Sequence, residues 1–164
     1  RIEDMLNAAK LVLQKTQATF VVAGKGHYLS RLQRHTQRLG IEKNVVFTGF
    51  VPDEVLPDMF ALADIFVMPS PVELQSVATM EAMASGLPVV AVHAGALFEL
   101  VQQGKNGFLY EQGNTLELSY YISLLLEDEV LRKKAAEHSK KIIDAHDMRH
   151  VVAKLEEIYK KVLV

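Results

Sequence analysis

The chain has 164 residues, 49% of them hydrophobic, a size and composition that give one domain with one continuous core. Its 18 Lys and Arg stand against 20 Asp and Glu, and the resulting charge of -2 demands no basic face for nucleic acid. The absence of cysteine excludes disulfides, thiolate nucleophiles and cysteine-ligated zinc, and fits a reducing cytoplasm.

The chain opens Arg1-Ile2-Glu3-Asp4-Met5, with neither a leader pattern nor an initiator Met, so a fragment is expected. Ile2, Met5, Leu6, Ala9 and Leu13 recur at helical spacing, and Ala18 to Ala23 is a short apolar strand closed by Gly24. A helix follows from about His27 to Leu39, ended by Gly40, and Val45-Val46-Phe47 is a strand closed by Gly49. The next helix is expected over Asp53 to Ala63 with Asp53 as its N-cap, leading into the strand Ile65 to Met68. Ser76 to Ser85 is helical up to Gly86, and Pro88 to Val92 is a strand. A short helix over Leu97 to Gln103 and a last strand over Gly107 to Tyr110 come next, and everything beyond Asn114 reads as helical.

The strands are nearly continuous apolar runs, the pattern of a parallel sheet covered by helices on both faces. The expected fold is therefore α/β, a Rossmann-like doubly wound parallel sheet. No apolar run, Leu87 to Val92 included, approaches the roughly 20 residues that cross a bilayer. In such a sheet ligands bind outside the carboxyl ends of the strands. The residues there are Gly24-Lys25-Gly26, Gly49-Phe50-Val51, Pro69 to Glu73 and His93-Ala94-Gly95. Taken singly, each glycine closes a turn; taken together they leave room for backbone to approach a ligand. The start of the helix near Ser76 offers free N–H groups to an anion, which suits a phosphate-bearing ligand.

Seven residues separate Glu73 from Glu81 in Glu73-Leu74-Gln75-Ser76-Val77-Ala78-Thr79-Met80-Glu81. With a helix beginning near Ser76, Glu73 lies on the entrance loop and Glu81 more than one turn inside, so they meet different parts of one ligand. The run from Val67 to Val92 that contains them resembles the signature of the group 1 glycosyltransferases, whose C-terminal domain in a GT-B fold holds a donor nucleotide sugar through an E-x7-E motif. The resemblance extends to Val21 to Gly26, Phe47 to Val51 and Gly95 to Glu99, so it covers nearly the whole chain.

By that resemblance residues 1–164 form the donor-binding domain, with C-terminal helices from about residue 115. Glu73 is the catalytic candidate, near the hydroxyls of the donor sugar. Glu81 accepts from the ribose hydroxyls, and the Ser76 and Val77 N–H groups meet the diphosphate. Phe50 and Val51 border the base, and Gly24, Gly26, His93 and Gly95 edge the site. The implied activity is transfer of a sugar from a nucleoside diphosphate donor to a saccharide or lipid-linked acceptor, with retention and without a metal or other cofactor.

Leu74-Gln75-Ser76 replaces the Gly-Phe-Gly common after the first glutamate, and the Gln75 variant is similar to some glycolipid-forming members. That leans toward a cytoplasmic enzyme whose full-length form touches the inner face of a membrane. Family domains begin with a strand ending in Gly-Arg and then a Lys, two cations that grip the diphosphate. This chain opens inside the first helix, so a gap is expected between the strand at Ala18 and that at Ile65, with the acceptor domain lying outside it. The isolated chain is then expected to bind donor poorly and to be inactive. The alternatives are a nucleotide-sugar epimerase of similar fold, or a nucleotide-sugar-binding module without catalysis. His146 and His150, an i,i+4 pair with Asp144 and Asp147 close by, read as a solvated helix face rather than a metal site.

Overall fold

In the computed structural model, which describes residues 1–162, helices and strands alternate along the chain. The order is α1 (Ile2–Val12), β1 (Phe20–Ala23), α2 (Leu29–Leu39), a 3-10 turn at Glu42–Asn44, β2 (Val45–Gly49), α3 (Leu56–Leu62), β3 (Phe66–Met68) and α4 (Val77–Ala84). It continues with β4 (Val89–Val92), α5 (Leu97–Leu100), β5 (Gly107–Tyr110), α6 (Thr115–Glu127), α7 (Glu129–Asp144) and α8 (Met148–Val162). This is the mixed α/β fold with parallel strands that the apolar runs and their glycine punctuation predict. Among the described residues no helix is long and apolar enough to cross a membrane.

The strands form two sheets rather than one. β1 pairs with β2, and β4 lies between β3 and β5, every pair parallel. Between the free edges of β1 and β3 runs an open groove of about 1410 Å³, lined by Phe20 and Val22 on one side, Phe66 and Met68 on the other, and Met5 and Ile122 from α1 and α6. One strand laid in this groove would give the order β2-β1-slot-β3-β4-β5. That is the 3-2-1-4-5-6 order of the dinucleotide-binding fold, with the groove in first place. The gap expected between Ala18 and Ile65 is thus an observed feature of the sheet.

Coverage of the sheet is uneven. All four residues of β4 are buried, as expected for a central strand with helices on both faces. In β1, however, Phe20 and Val22 are buried while Val21 and Ala23 are exposed, and Val46, opposite Val21, is exposed too. The expected two-sided cover therefore fails at this sheet. α1 and α2 pack on each other, and right-handed crossovers that step in one direction leave their helices on one face.

Local chemistry moves several boundaries. Asp53 is not an N-cap: residues 53–55 form a turn, α3 starts at Leu56, and its cap position is Val55 without a side-chain bond. Pro57 sets this start, because in a helix beginning at Asp53 its ring would clash with the carbonyl four residues back. α5 stops at Leu100 rather than Gln103. The fully buried Asn106 side chain donates to Leu100 O at 3.0 Å and accepts from Gln102 N at 2.8 Å, which diverts the chain into β5. The helical tail divides at 145–147, so His146 lies in a turn and shares no helix with His150, whose Nδ1 donates to Asp144 O at 2.9 Å. α8 carries an apolar stripe of Met148, Val151, Val152, Leu155, Ile158, Tyr159 and Val162, none of them buried.

Tyr110, at the end of β5, is 1% exposed, and its hydroxyl has no hydrogen-bond partner. Burial first, and the nearby Asp4 carboxylate second, push its ionisation up from 10.0 to about 12. The unfolded chain therefore loses this proton first, so its contribution to stability is whole below pH 10 and is lost as the pH rises through about 12. Tyr110→Phe removes both the buried unpaired hydroxyl and this titration. It is expected to melt at or above the parent temperature and to flatten the stability curve over that window, as urea unfolding at stepped pH would show.

Candidate functional site

Because every strand pair is parallel, the segments that follow β1 and β2 gather at one edge of their sheet, and those that follow β3, β4 and β5 at one edge of theirs. On the two-stranded side, Gly24 donates its N–H to Gly49 O at 2.7 Å, tying the loop after β1 to the end of β2. Gly24 and Gly26 have open space where a side chain would project. Phe50 is 64% exposed with Lys25 Nζ 5.0 Å from its ring centroid, a cation over a π face, and Val51 beside it is half-buried. Lys25, to which sequence reasoning assigned no role, is an exposed cation between two glycines at a strand end.

On the three-stranded side Ser76 heads α4 with φ 52° and ψ 61°, and among the described residues it alone has a left-handed backbone without being glycine. Such a conformation costs a side-chain-bearing residue about 1–2 kcal/mol. Buried Ser76 is fixed there by a 2.8 Å bond between its Oγ and Thr79 Oγ1, which leaves the α4 N-terminus without a side-chain cap. Ser76 O accepts from the N–H groups of Thr79 and Met80, while those of Ser76, Val77 and Ala78 meet no acceptor among the described residues. Uncapped donors aligned with a helix dipole form a ready seat for an anion.

Glu81 lies one turn beyond Val77 on the same exposed face of α4, opposite buried Thr79, Ala82 and Met83. Glu73 is half-buried on the loop before the helix, and its carbonyl accepts from Ala96 N at 2.9 Å. Neither carboxylate has a hydrogen bond or ion pair within the described residues, so both charges are available to a ligand. His93, after β4, is exposed with Nδ1 3.3 Å from Glu111 Oε1, an acidic partner from the end of β5 that sequence reasoning missed.

The candidate residues thus divide between two banks. Glu73, Ser76, Val77, Glu81, His93 and Gly95 follow β3 and β4, and Gly24, Gly26, Phe50 and Val51 follow β1 and β2. The groove lies between the banks, and Ala23, Ser70 and Ala78 line its walls. The carboxyl-end mouth of the groove, beyond β1 and β3, is the place where the strand order reverses and where open α/β sheets bind ligands. Among the described residues no group of three or more His, Asp or Glu side chains could hold a metal ion.

Known proteins with this arrangement are numerous. The family described as glycosyl transferases group 1 matches residues 1–142. The chain is 35% identical to a GDP-mannose-dependent alpha-(1-6)-phosphatidylinositol monomannoside mannosyltransferase of Mycolicibacterium smegmatis, over 77% of this chain and 35% of that protein. Among solved structures it is similar to HepE of Anabaena in complex with UDP, with 30% identity, a TM-score of 0.81, and 96% of this chain and 44% of that one covered. It is also similar to the C-terminal domain of a group 1 glycosyl transferase from Francisella tularensis, with 28% identity, a TM-score of 0.79, and 88% and 77% covered. The chain spans less than half the length of the curated relatives it matches, 41%, 30% and 42% for three of them.

Proposed function

The chain belongs to the group 1 glycosyl transferases, and on that premise we propose that it is the donor-binding domain of an enzyme that moves a sugar from a nucleoside diphosphate sugar to a saccharide or lipid-linked acceptor. The observation that carries this reading is the uncapped start of α4, with three N–H donors, Ala78 in the wall of the groove, and Glu73 and Glu81 on the same loop and helix without a partner among the described residues. In this reading the diphosphate sits on the N–H groups of Ser76, Val77 and Ala78. The helix dipole takes up charge as the leaving group departs, without a metal.

Glu81, one turn further on, accepts from the ribose hydroxyls; a carboxylate with two oxygens suits a vicinal diol. Glu73 faces the sugar. Lys25, with Phe50 and Val51, borders the nucleotide from the opposite bank. Transfer proceeds with retention, as the resemblance in the Val67 to Val92 run implies, and the acceptor lies on a domain outside residues 1–164. UDP in the Anabaena relative and GDP-mannose dependence in the mycobacterial one support a nucleotide-sugar donor while leaving the base open. A lipid-linked acceptor, as the mycobacterial relative's name implies for that protein, would bring the full-length enzyme to a membrane surface.

Glu81→Ala in the full-length protein tests the reading. Its side chain is exposed and holds nothing in the fold, so donor binding is expected to weaken by about 1.5–3 kcal/mol with the melting temperature unchanged. Calorimetric titration with UDP-, GDP- and ADP-sugars reads both the loss and the preferred base. Normal binding combined with early melting would make Glu81 a structural residue and overturn the assignment.

A further inference from the structure

Glu73 sits on a loop with little to hold it. Within the segment from Ser70 to Ser76 the only tie before the helix is a 3.4 Å contact from Val72 N to Ser70 Oγ, and Leu74 and Gln75 are exposed. Its support comes from the next strand end. Ala96 donates its N–H to Glu73 O at 2.9 Å, and Gly95 lies against the same peptide. A Cβ on Gly95 would stand 2.5 Å from Glu73 O, 3.3 Å from Glu73 N and 3.4 Å from Glu73 C, all backbone atoms, so the Glu73 peptide would have to shift as a whole. The loop that makes this contact is anchored. His93 N donates to Tyr110 O at 2.8 Å, Ala94 N to Val92 O at 2.8 Å, and Leu97 is fully buried in the core behind it.

The glycines of the two banks therefore differ in kind. The Cβ positions of Gly24 and Gly26 open onto empty space that a ligand can enter, whereas that of Gly95 is occupied by the protein itself. We infer that Gly95 is a positioning residue, one that acts on the donor sugar only through Glu73. With the Ala96 N–H it forms a clamp that fixes the height of the Glu73 peptide over the end of β3. This rests on the reading of Glu73 given above and replaces direct donor contact as the role of Gly95. The left-handed φ of 56° lets the loop turn Ala96 N–H toward Glu73, and the missing side chain lets the two backbones touch.

The test uses Gly95→Asn, because Asn tolerates a left-handed backbone and so isolates the added Cβ from the strain of φ. In the full-length enzyme kcat is expected to fall roughly 10- to 100-fold, the penalty of a reacting group displaced by about an ångström. Nucleoside diphosphate affinity should be retained. The double variant with Glu73→Gln should turn over no more slowly than Glu73→Gln alone, since a residue acting only through Glu73 adds nothing once that carboxylate is gone. Multiplying losses would overturn the proposal.

Amide exchange at Ala96 gives a second reading, independent of catalysis. It should quicken in Gly95→Asn, and unchanged protection would overturn the clamp whatever Glu73 does. Should Glu73→Gln turn over normally while Ala96 opens in Gly95→Asn, the clamp stands and the catalytic reading of Glu73 falls. Ala96→Pro removes the donor at a residue whose φ of -78° suits proline, and should reproduce the loss of kcat. Full activity in that variant would count against the clamp.

Discussion

Gly107→Ala is expected to destabilise the fold more than any other substitution considered. A Cβ at this first residue of β5 would stand 1.8 Å from Val89 O, 2.7 Å from Val89 C and 2.9 Å from Val89 N. These are main-chain atoms of the central strand, whose four residues are all buried. Val89 cannot retreat, because its N–H is bound to Asn106 O and its neighbours pair with β3. β5 cannot retreat either without breaking the register from Val89↔Gly107 to Val92↔Tyr110 and uncovering Tyr110. Overpacking against rigid backbone at such a site should cost about 4–5 kcal/mol, the upper end for single substitutions and a large share of a typical domain's stability. Urea unfolding followed by circular dichroism measures it, and a midpoint equal to the parent's would show that the two strands can separate at little cost.

Glu73→Gln is expected to lower turnover of the full-length enzyme by about 10²- to 10³-fold, the range for removing one preorganised electrostatic group from a reacting centre. The substitution keeps the size of the side chain and removes its charge. Since Glu73 makes no side-chain bond among the described residues and its peptide is held by Ala96, fold and loop position should survive. Affinity for free nucleoside diphosphate should survive too, because the α4 N–H groups that receive it are untouched. Rapid-quench measurement of donor consumption, with calorimetry on the nucleotide, separates the two quantities. Equal losses in both would move Glu73 from the sugar to the nucleotide.

The strands were legible because apolar runs of three to six residues between turn residues have few other uses, and Gly24 and Gly49 mark the ends of the first two. The run from Val67 to Val92 made the family legible as well. What the sequence concealed is non-local. The clamp joins residues 22 positions apart, Glu73 and Gly95, through backbone atoms that carry no signature in residue type. The cation over Phe50 depends on the loops after β1 and β2 meeting, and pairing of His93 with Glu111 on β4 and β5 being neighbours. The start of α3 is legible in Pro57, which forbids the longer helix, whereas Asp53, a favoured N-cap residue type, points to the earlier start. The one-sided burial of β1 and β2 was hidden because Val21 and Val46 look like core residues and are exposed only through the direction in which the crossovers step.

The break between the sheets bears on cooperativity. Among the described residues no backbone ladder links β1 to β3, so these residues form two hydrogen-bonded blocks that share one apolar core. α1 joins them by side-chain packing, against α2 on one block and α6 on the other. Packing of that kind yields by small rotations, whereas a strand ladder opens only by breaking bonds, so the spacing between Phe50 and Glu73 is set by the softer of the two connections. A ligand that reached from one block to the other would add a linkage between them. Its binding free energy would then enter the unfolding equilibrium of both blocks at once and couple their opening more tightly.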